Sequence, residues 1–393
     1  MSSASLSGGS RLTYLDGLRG WMAIVVLLYH FFPNWLLSFP DAKQLIIVLS
    51  WTPMSVLMNG QQAVFVFFAI SGIAVSYPIL RSASPGRTLF GMIVYRYPRL
   101  TVPSLFSCLL AYILLTSGAF AYSGVAANVA WLANLYAFPP DFGAMLKYVF
   151  WEMYVDPPSF DRSWNPVLWS MEIELFGSFA LFLLLAACRR LWLRLPIAVC
   201  AAIYWSGGYY CGFFVGYCLA ELIVAYQRSD TIRRSVVAIA PLGWLCLAIA
   251  LSLAMWLQRD PSSAARLFYM NAVSALTVAG VVLVPTVGGC LSGRISCFLG
   301  RISFALYLTH LLIKCSIASE LFIAWIDVLP YWLLVAAVGS ISIALSIGVA
   351  FAFTLLVEEM LLSFLKRRIM AATSMLFSPY STDRGSKVTR AAS

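Results

Sequence analysis

Charge is scarce in this sequence. Only 11% of its 393 residues are Asp, Glu, Lys or Arg, where a soluble domain carries about a quarter, so an ordinary water-soluble globular protein is excluded. Disorder is excluded too, because 61% of the chain is hydrophobic and 15% aromatic. Histidine is scarcer still: His30 and His310 are the two present. The nine cysteines form no Cys-x-x-Cys pair and read as small apolar residues, so neither a disulfide scaffold nor a metal site is expected. No internal repeat is visible, which weighs against many transporter folds. The first ten residues hold no basic side chain and the first apolar run is too long for a secretory signal, so none is expected.

What the chain has in abundance is long apolar runs, with a mean hydropathy of +0.86. They fall near 17–38, 61–80, 100–120, 167–187, 196–207, 209–226, 237–257, 267–287, 302–326 and 331–357. At roughly 20 residues per span, the expected fold class is all-α, a polytopic integral membrane bundle of about ten transmembrane helices. The runs are too long and continuous for barrel strands. The fifth is short and is broken from the sixth by Gly207 and Gly208. Three regions follow: an N-terminal segment 1–16, a transmembrane domain 17–368 and a polar, disordered tail 369–393.

The net charge of +10 is distributed by topology. One set of alternate loops collects Arg96 and Arg99, the cluster at 189–194, Arg233 and Arg234, Arg301 and the run 366–368. The other set holds only scattered cations such as Lys43 and Lys147. By the positive-inside rule both termini face the cytosol, and the partner of the basic excess is the lipid bilayer, with no nucleic acid. The long stretch 121–166, with Trp131, Trp151 and Trp164, lies outside as a re-entrant or interfacial cap.

Ionisable side chains inside a bilayer are functional candidates. Arg19 stands at the cytosolic start of the first span and His30 follows eleven residues later. At 100° and 1.5 Å per residue the two share a helix face, about 16 Å apart. That is close to the length of a pantetheine arm. Taken alone, an interfacial Arg19 and a His30 bonded to a neighbouring carbonyl are the simpler explanation of the pair. Tyr95-Arg96-Tyr97-Pro98-Arg99, at the cytosolic start of the third span, offers two guanidinia for phosphate, or a plain topological anchor. Trp169-Ser170-Met171-Glu172-Ile173-Glu174 puts Glu174 where it could orient an imidazole. Ser71-Gly72 reads as helix packing, while His310, one turn before Lys314, divides evenly between catalysis and structure. Glu358 and Glu359 read as partners of nearby arginines, and Glu221 and Glu320 receive no role.

These pieces, in this order, resemble the acyltransferase-3 family of membrane acyltransferases. The resemblance rests on Leu15-Asp16-Gly-Leu-Arg19-Gly20 with Tyr29-His30, Phe67-Phe68-Ala-Ile-Ser71-Gly72 and Tyr95-Arg96-Tyr-Pro-Arg99-Leu. It continues in Leu168-Trp169-Ser170-Met-Glu-Ile-Glu174 and Leu299-Gly300-Arg301-Ile-Ser303-Phe-Ala-Leu-Tyr307-Leu-Thr-His310, and spans about residues 11–370. Gly177-Ser178 after Glu174 is similar to the fungal branch, whose members acylate hydroxyls of secondary metabolites or glycolipids. The chain departs from the family in Arg96-x2-Arg99, where Arg-x3-Arg is common, and in Thr309, where bacterial members have Trp.

The resemblance implies an O-acyltransferase, most simply an acetyltransferase, moving an acyl group from cytosolic acyl-CoA to a small-molecule hydroxyl acceptor. Acyl-CoA would be a co-substrate, with no tightly bound cofactor and no metal. His30 would be the catalytic histidine, with Glu174 and His310 as further catalytic candidates and Arg19, Arg96 and Arg99 as donor-binding residues. An endomembrane such as the endoplasmic reticulum follows from the fungal likeness. Two rival classes remain: a transporter using His30, Glu174 and His310 as a proton relay, and a receptor or scaffold that keeps the fold without chemistry.

Overall fold

A computed structural model describes residues 12–37, 42–120, 135–229, 239–259 and 265–376. Among the described residues there are helices and no strand. The long helices are α1 (Thr13–Phe31), α2 (Gly60–Arg81), α3 (Pro85–Thr116), α4 (Trp169–Ala187) and α5 (Leu191–Tyr204). They continue as α6 (Cys211–Arg228), α7 (Ala240–Arg259), α8 (Arg266–Leu283), α9 (Arg294–Ile313) and α10 (Tyr331–Phe353). Eight stretches among the described residues are long and apolar enough to cross a membrane. The other two expected spans are α5, only 14 residues long, and α6, which carries Glu221, Gln227 and Arg228. The chain is a polytopic helical bundle of an integral membrane protein.

Burial separates the helices into a centre and a rim. The spans built on α2 and α9 each have 72% of their apolar window buried, against 22% for α7. A helix apolar on all sides is stable in lipid and in a protein core alike, so composition cannot assign these places. Small residues do. A Cβ on Gly20 would run into the backbone of Leu299 and Gly300, and one on Gly300 into the backbone of Asp16. Without those two glycines α1 and α9 could not approach backbone to backbone, the usual means of close packing in lipid. This crossing sets Arg19 against Ser303 and His30 against His310.

Two features depart from the expected layout. Helix α3 begins at Pro85 and runs 32 residues, with Pro98 and Pro103 inside it. The Tyr95–Arg99 motif therefore lies within a helix, not at its start, and Arg96 is buried. Neighbouring helices can satisfy the backbone groups that a proline frees, which makes such prolines tolerable in a membrane.

The second feature is the chain before α4. Trp131 lies outside the described residues. Further on, Tyr97 donates to the Phe150 carbonyl at 2.7 Å, and the Thr101 and Tyr154 hydroxyls are bonded at 2.9 Å. The Asn165 amide then donates to the carbonyl of Leu308, past the middle of α9, at 2.8 Å. This irregular segment is packed against α3 and α9, where protein groups satisfy its backbone and side chains.

At the other end, α10 continues through π-helical turns at Thr354–Leu362 into the helix Ser363–Leu376. That helix overruns Arg368, where the polar tail was expected to begin. The expected Arg233–Arg234 loop and residues 377–393 lie outside the described residues.

Candidate active site

Two cavities meet at the crossing of α1, α2, α4 and α9. The first, about 330 Å³, is lined by Arg19, Arg96, Arg99 and Lys366, with Glu174 and Glu358 as its carboxylates. Four cations against two acids leave it positive. The second, about 510 Å³, contains His30 and no acid or lysine or arginine among its described lining residues. Val64 and Tyr307 line both and form the partition. The Tyr307 hydroxyl is anchored by the Val167 carbonyl at 2.8 Å and the Ser170 hydroxyl at 2.9 Å.

The two histidines come together from opposite ends of the sequence. His310 Nε2 is 3.3 Å from His30 Nδ1, and the ring centroids are 4.9 Å apart. Each Nδ1 also faces the carbonyl one helical turn back, Val26 for His30 at 3.0 Å and Leu306 for His310 at 2.9 Å. One proton arrangement satisfies all three contacts. If both rings carry hydrogen on Nδ1, His310 donates to Leu306, and His30 Nδ1–H is shared between Val26 and His310 Nε2. His30 Nε2 then keeps its lone pair. His310 is buried at 1% exposure, whereas His30 is half-buried at the cavity wall.

Glu174 has a different neighbourhood from the expected one. Its carboxylate accepts from Arg96 Nη2 at 2.5 Å and from the Ser71 hydroxyl at 2.7 Å. Neither imidazole is among its partners, so Glu174 does not orient a histidine. Spacing could place Glu174 on a face of α4 but could not say which helix that face meets. Ser71 thus carries a polar contact as well as the packing expected of it, and its neighbour Gly72 abuts the Phe213 backbone.

The donor-site candidates divide likewise. Arg96 is buried with Glu174 as its counter-ion, which removes most of its attraction for an added anion. Arg19 donates Nε–H to Ser303 at 3.0 Å and Nη2–H to the Gly300 carbonyl at 3.3 Å, with Asp16 3.8 Å away. Arg99 is exposed at the cavity rim. One residue on this cavity was not singled out from sequence. Lys366 lies over the Tyr95 ring at 5.8 Å; in the sequence it was one of a basic run read as topology. Glu358 turns into the cavity, close enough to Arg19 and Arg99 to feel both charges. Its neighbour Glu359 grips Arg301 through two bonds, at 2.5 and 2.6 Å, as expected of an arginine partner.

Other candidates line neither cavity. Glu221 is paired with Arg194 at 2.7 Å and bonded by Tyr217. Lys314 is fully buried, its Nζ 5.7 Å from the Trp35 ring centre. The nine cysteines are all free thiols. Among the described residues no group of three His, Cys, Asp or Glu side chains converges as a metal site.

The bundle thus sets a pair of imidazoles near a positively charged cavity. The sequence comparison supplies the class: the profile of the acyltransferase-3 family, described as "Acyltransferase domain", matches residues 12–351. The chain belongs to that family and is an acyltransferase. It is 24% identical over 367 residues to the O-acetyltransferase PaAT-1 of Phomopsis amygdali, covering 76% of this chain and 71% of that protein. No solved structure matches it significantly. The rival reading as a transporter finds no support in these comparisons.

Proposed function

We propose that the protein is an O-acyltransferase that moves an acyl group, most simply acetyl, from acyl-CoA to a hydroxyl of a small molecule. The observation that carries this reading is the two-cavity arrangement along one face of α1. Arg19 lines the positive cavity and His30 the neutral one. Eleven residues of helix separate them, about 16 Å, the reach of a pantetheine arm past Tyr307 and Val64. Arg19, Arg99 and Lys366 are the natural holders of the donor's phosphates, because their charges are not locked in a buried pair as that of Arg96 is. The name of the relative as an O-acetyltransferase supports the acetyl donor and the hydroxyl acceptor.

In this reading His30 Nε2 takes the proton of the acceptor hydroxyl while the hydroxyl oxygen attacks the thioester carbonyl carbon. The carbon–sulfur bond breaks as the new carbon–oxygen bond is completed, and the imidazolium returns its proton to the departing thiolate. An ester and free CoA result. His310 keeps Nδ1–H of His30 directed away from the acceptor, so that the basic nitrogen is the one available. Glu174 holds Arg96 across the floor of the donor cavity. The basic rim of that cavity faces the cytosol by the positive-inside rule, which puts both termini there as well.

The test is thiol release from acetyl-CoA by the purified protein with an acceptor extract, beside His30→Ala and Arg99→Ala. Acceptor-dependent release by the wild type, abolished by His30→Ala, is expected. Acceptor-dependent release that persists in His30→Ala overturns the assignment of the base. No release with any extract overturns the transfer reading itself.

A further inference from the structure

The neutral cavity holds more hydrogen-bonding groups than the protein uses. Tyr29, Gln61, Trp169 and Tyr209 all line it beside His30. Trp169 and Tyr209 touch edge to face, with ring centroids 5.4 Å apart, and Tyr29 stands edge-on to His30 at 5.1 Å. These rings are engaged as apolar walls, yet their polar ends are not. Among the described residues neither the two tyrosine hydroxyls, nor the Trp169 indole N–H, nor the Gln61 amide has a hydrogen-bond partner within the protein. The contrast with nearby Gln62 is informative. Gln62 points away, and its amide donates to Ser274 at 2.8 Å and to the Met270 carbonyl at 3.0 Å. These four groups open into the cavity, unlike Gln62 Oε1, which is sealed in protein without a partner, so an occupant of the cavity can reach all four.

The chemistry of that occupant follows from what the wall contains and lacks. It lacks any carboxylate, lysine or arginine among the described lining residues. An ionised carboxylate, phosphate or amine would find no charged partner on the lining itself, at a large desolvation cost. An amine would also meet the charges of Arg266 and Lys314, which are felt at Tyr29 and His30. Aromatic faces favour flat or ring-bearing surfaces. The open amide, indole and phenol groups favour several neutral oxygens. The volume of about 510 Å³ falls among ordinary small-molecule sites.

We infer that this cavity is the acceptor site, and that the acceptor is a neutral, ring-bearing alcohol with several oxygens, held by Gln61, Trp169, Tyr29 and Tyr209 with its reacting hydroxyl toward His30. The inference rests on the transfer reading above and adds the substrate class and the residues that select it. Gln61 and Trp169 are the specificity-determining pair, since each presents a fixed donor that a hydrocarbon chain cannot use.

The experiment uses the full-length protein, [14C]acetyl-CoA and an organic extract of the cells that naturally make the protein, split by ion exchange into neutral, acidic and basic fractions. Label incorporated into a neutral-fraction product is the expected result. Label entering the acidic or basic fraction instead overturns the inference while leaving the transfer reading intact. No label and no thiol release in any fraction overturns both. Gln61→Ala and Trp169→Phe are then expected to raise the acceptor KM about tenfold each, the loss of one hydrogen bond. The donor KM is expected to stay unchanged, which also certifies that the variants fold. An acceptor KM unaltered in both variants, with donor KM normal, overturns the inference. If either variant fails to insert, Gln61→Glu provides the second measurement. It keeps the side-chain size and is expected to weaken the neutral acceptor by placing a charge against it; unchanged acceptor KM there also overturns the inference.

Discussion

Two buried Arg–Glu pairs in this protein are almost the same interaction in two different regions. Arg96 and Glu174 join α3 to α4 at 2.5 Å, with side chains 10% and 13% exposed. Arg194 and Glu221 join α5 to α6 at 2.7 Å, with side chains 17% and 12% exposed. Each carboxylate also accepts from a hydroxyl, Ser71 in the first and Tyr217 in the second. The first pair lines the positive cavity beside Tyr307, and the second lines neither of the two cavities that meet at Val64 and Tyr307. Bond chemistry therefore does not separate a pair at the proposed site from one that only joins helices; location does. The central bundle of α1, α2, α3, α4 and α9 encloses the cavities, and α6 buttresses it through the close contact of Gly72 with the Phe213 backbone.

The largest effect is expected in the centre and needs no loss of structure. His30→Ala should lower kcat by about 10²- to 10⁴-fold, the usual contribution of a general base, with unchanged insertion and thermal midpoint; thiol release measures it. His310→Ala should cost less, because it removes the partner of Nδ1 and not the base. An equal loss in the two variants would mean that the pair acts as one unit.

The comparison itself is tested next. Glu174→Gln and Glu221→Gln should each destabilise by about 3–5 kcal/mol, since each leaves a buried guanidinium without its counter-charge. Only Glu174→Gln should also reduce turnover per folded molecule. Equal turnover losses, measured after correcting for folded fraction, would erase the distinction between the regions.

A smaller effect is expected at the rim of the donor cavity. Arg99→Ala and Lys366→Ala should each raise the donor KM several-fold, about 1 kcal/mol for an exposed charge contact, with the acceptor KM unmoved and the penalty shrinking at high salt. The smallest effect belongs to Arg301 and Glu359, whose side chains are 42% and 44% exposed. Glu359→Gln should change stability by less than about 1 kcal/mol and leave turnover alone. A large loss there would move the functional region outward.

Much of this was legible before any coordinates. The apolar runs placed the spans because length and hydropathy are what a bilayer requires, and nine of ten fall wholly or mostly inside single helices. The fifth was the weakest, and α5 is indeed the short helix. The start of α3 was misplaced because Arg96 and Arg99 looked like a boundary; a guanidinium facing a buried carboxylate leaves the same trace in sequence as one facing water. Arg19 and His30 were legible as a pair because one helix carries both. His30 with His310 was not, since nothing in the sequence relates the rotation of α1 to that of α9.

By itself, then, the sequence determined that this chain is a membrane-spanning helical bundle and a member of an acyltransferase family. Hydrophobic run length and local motifs need no knowledge of which helices touch. The tertiary structure alone decided the partners: Glu174 with Arg96 and Ser71, His30 with His310, Glu358 turned inward and Glu359 outward. The reason is geometric. Helical periodicity fixes which residues share a face, but the close crossings allowed by Gly20, Gly300 and Gly72 fix which faces meet.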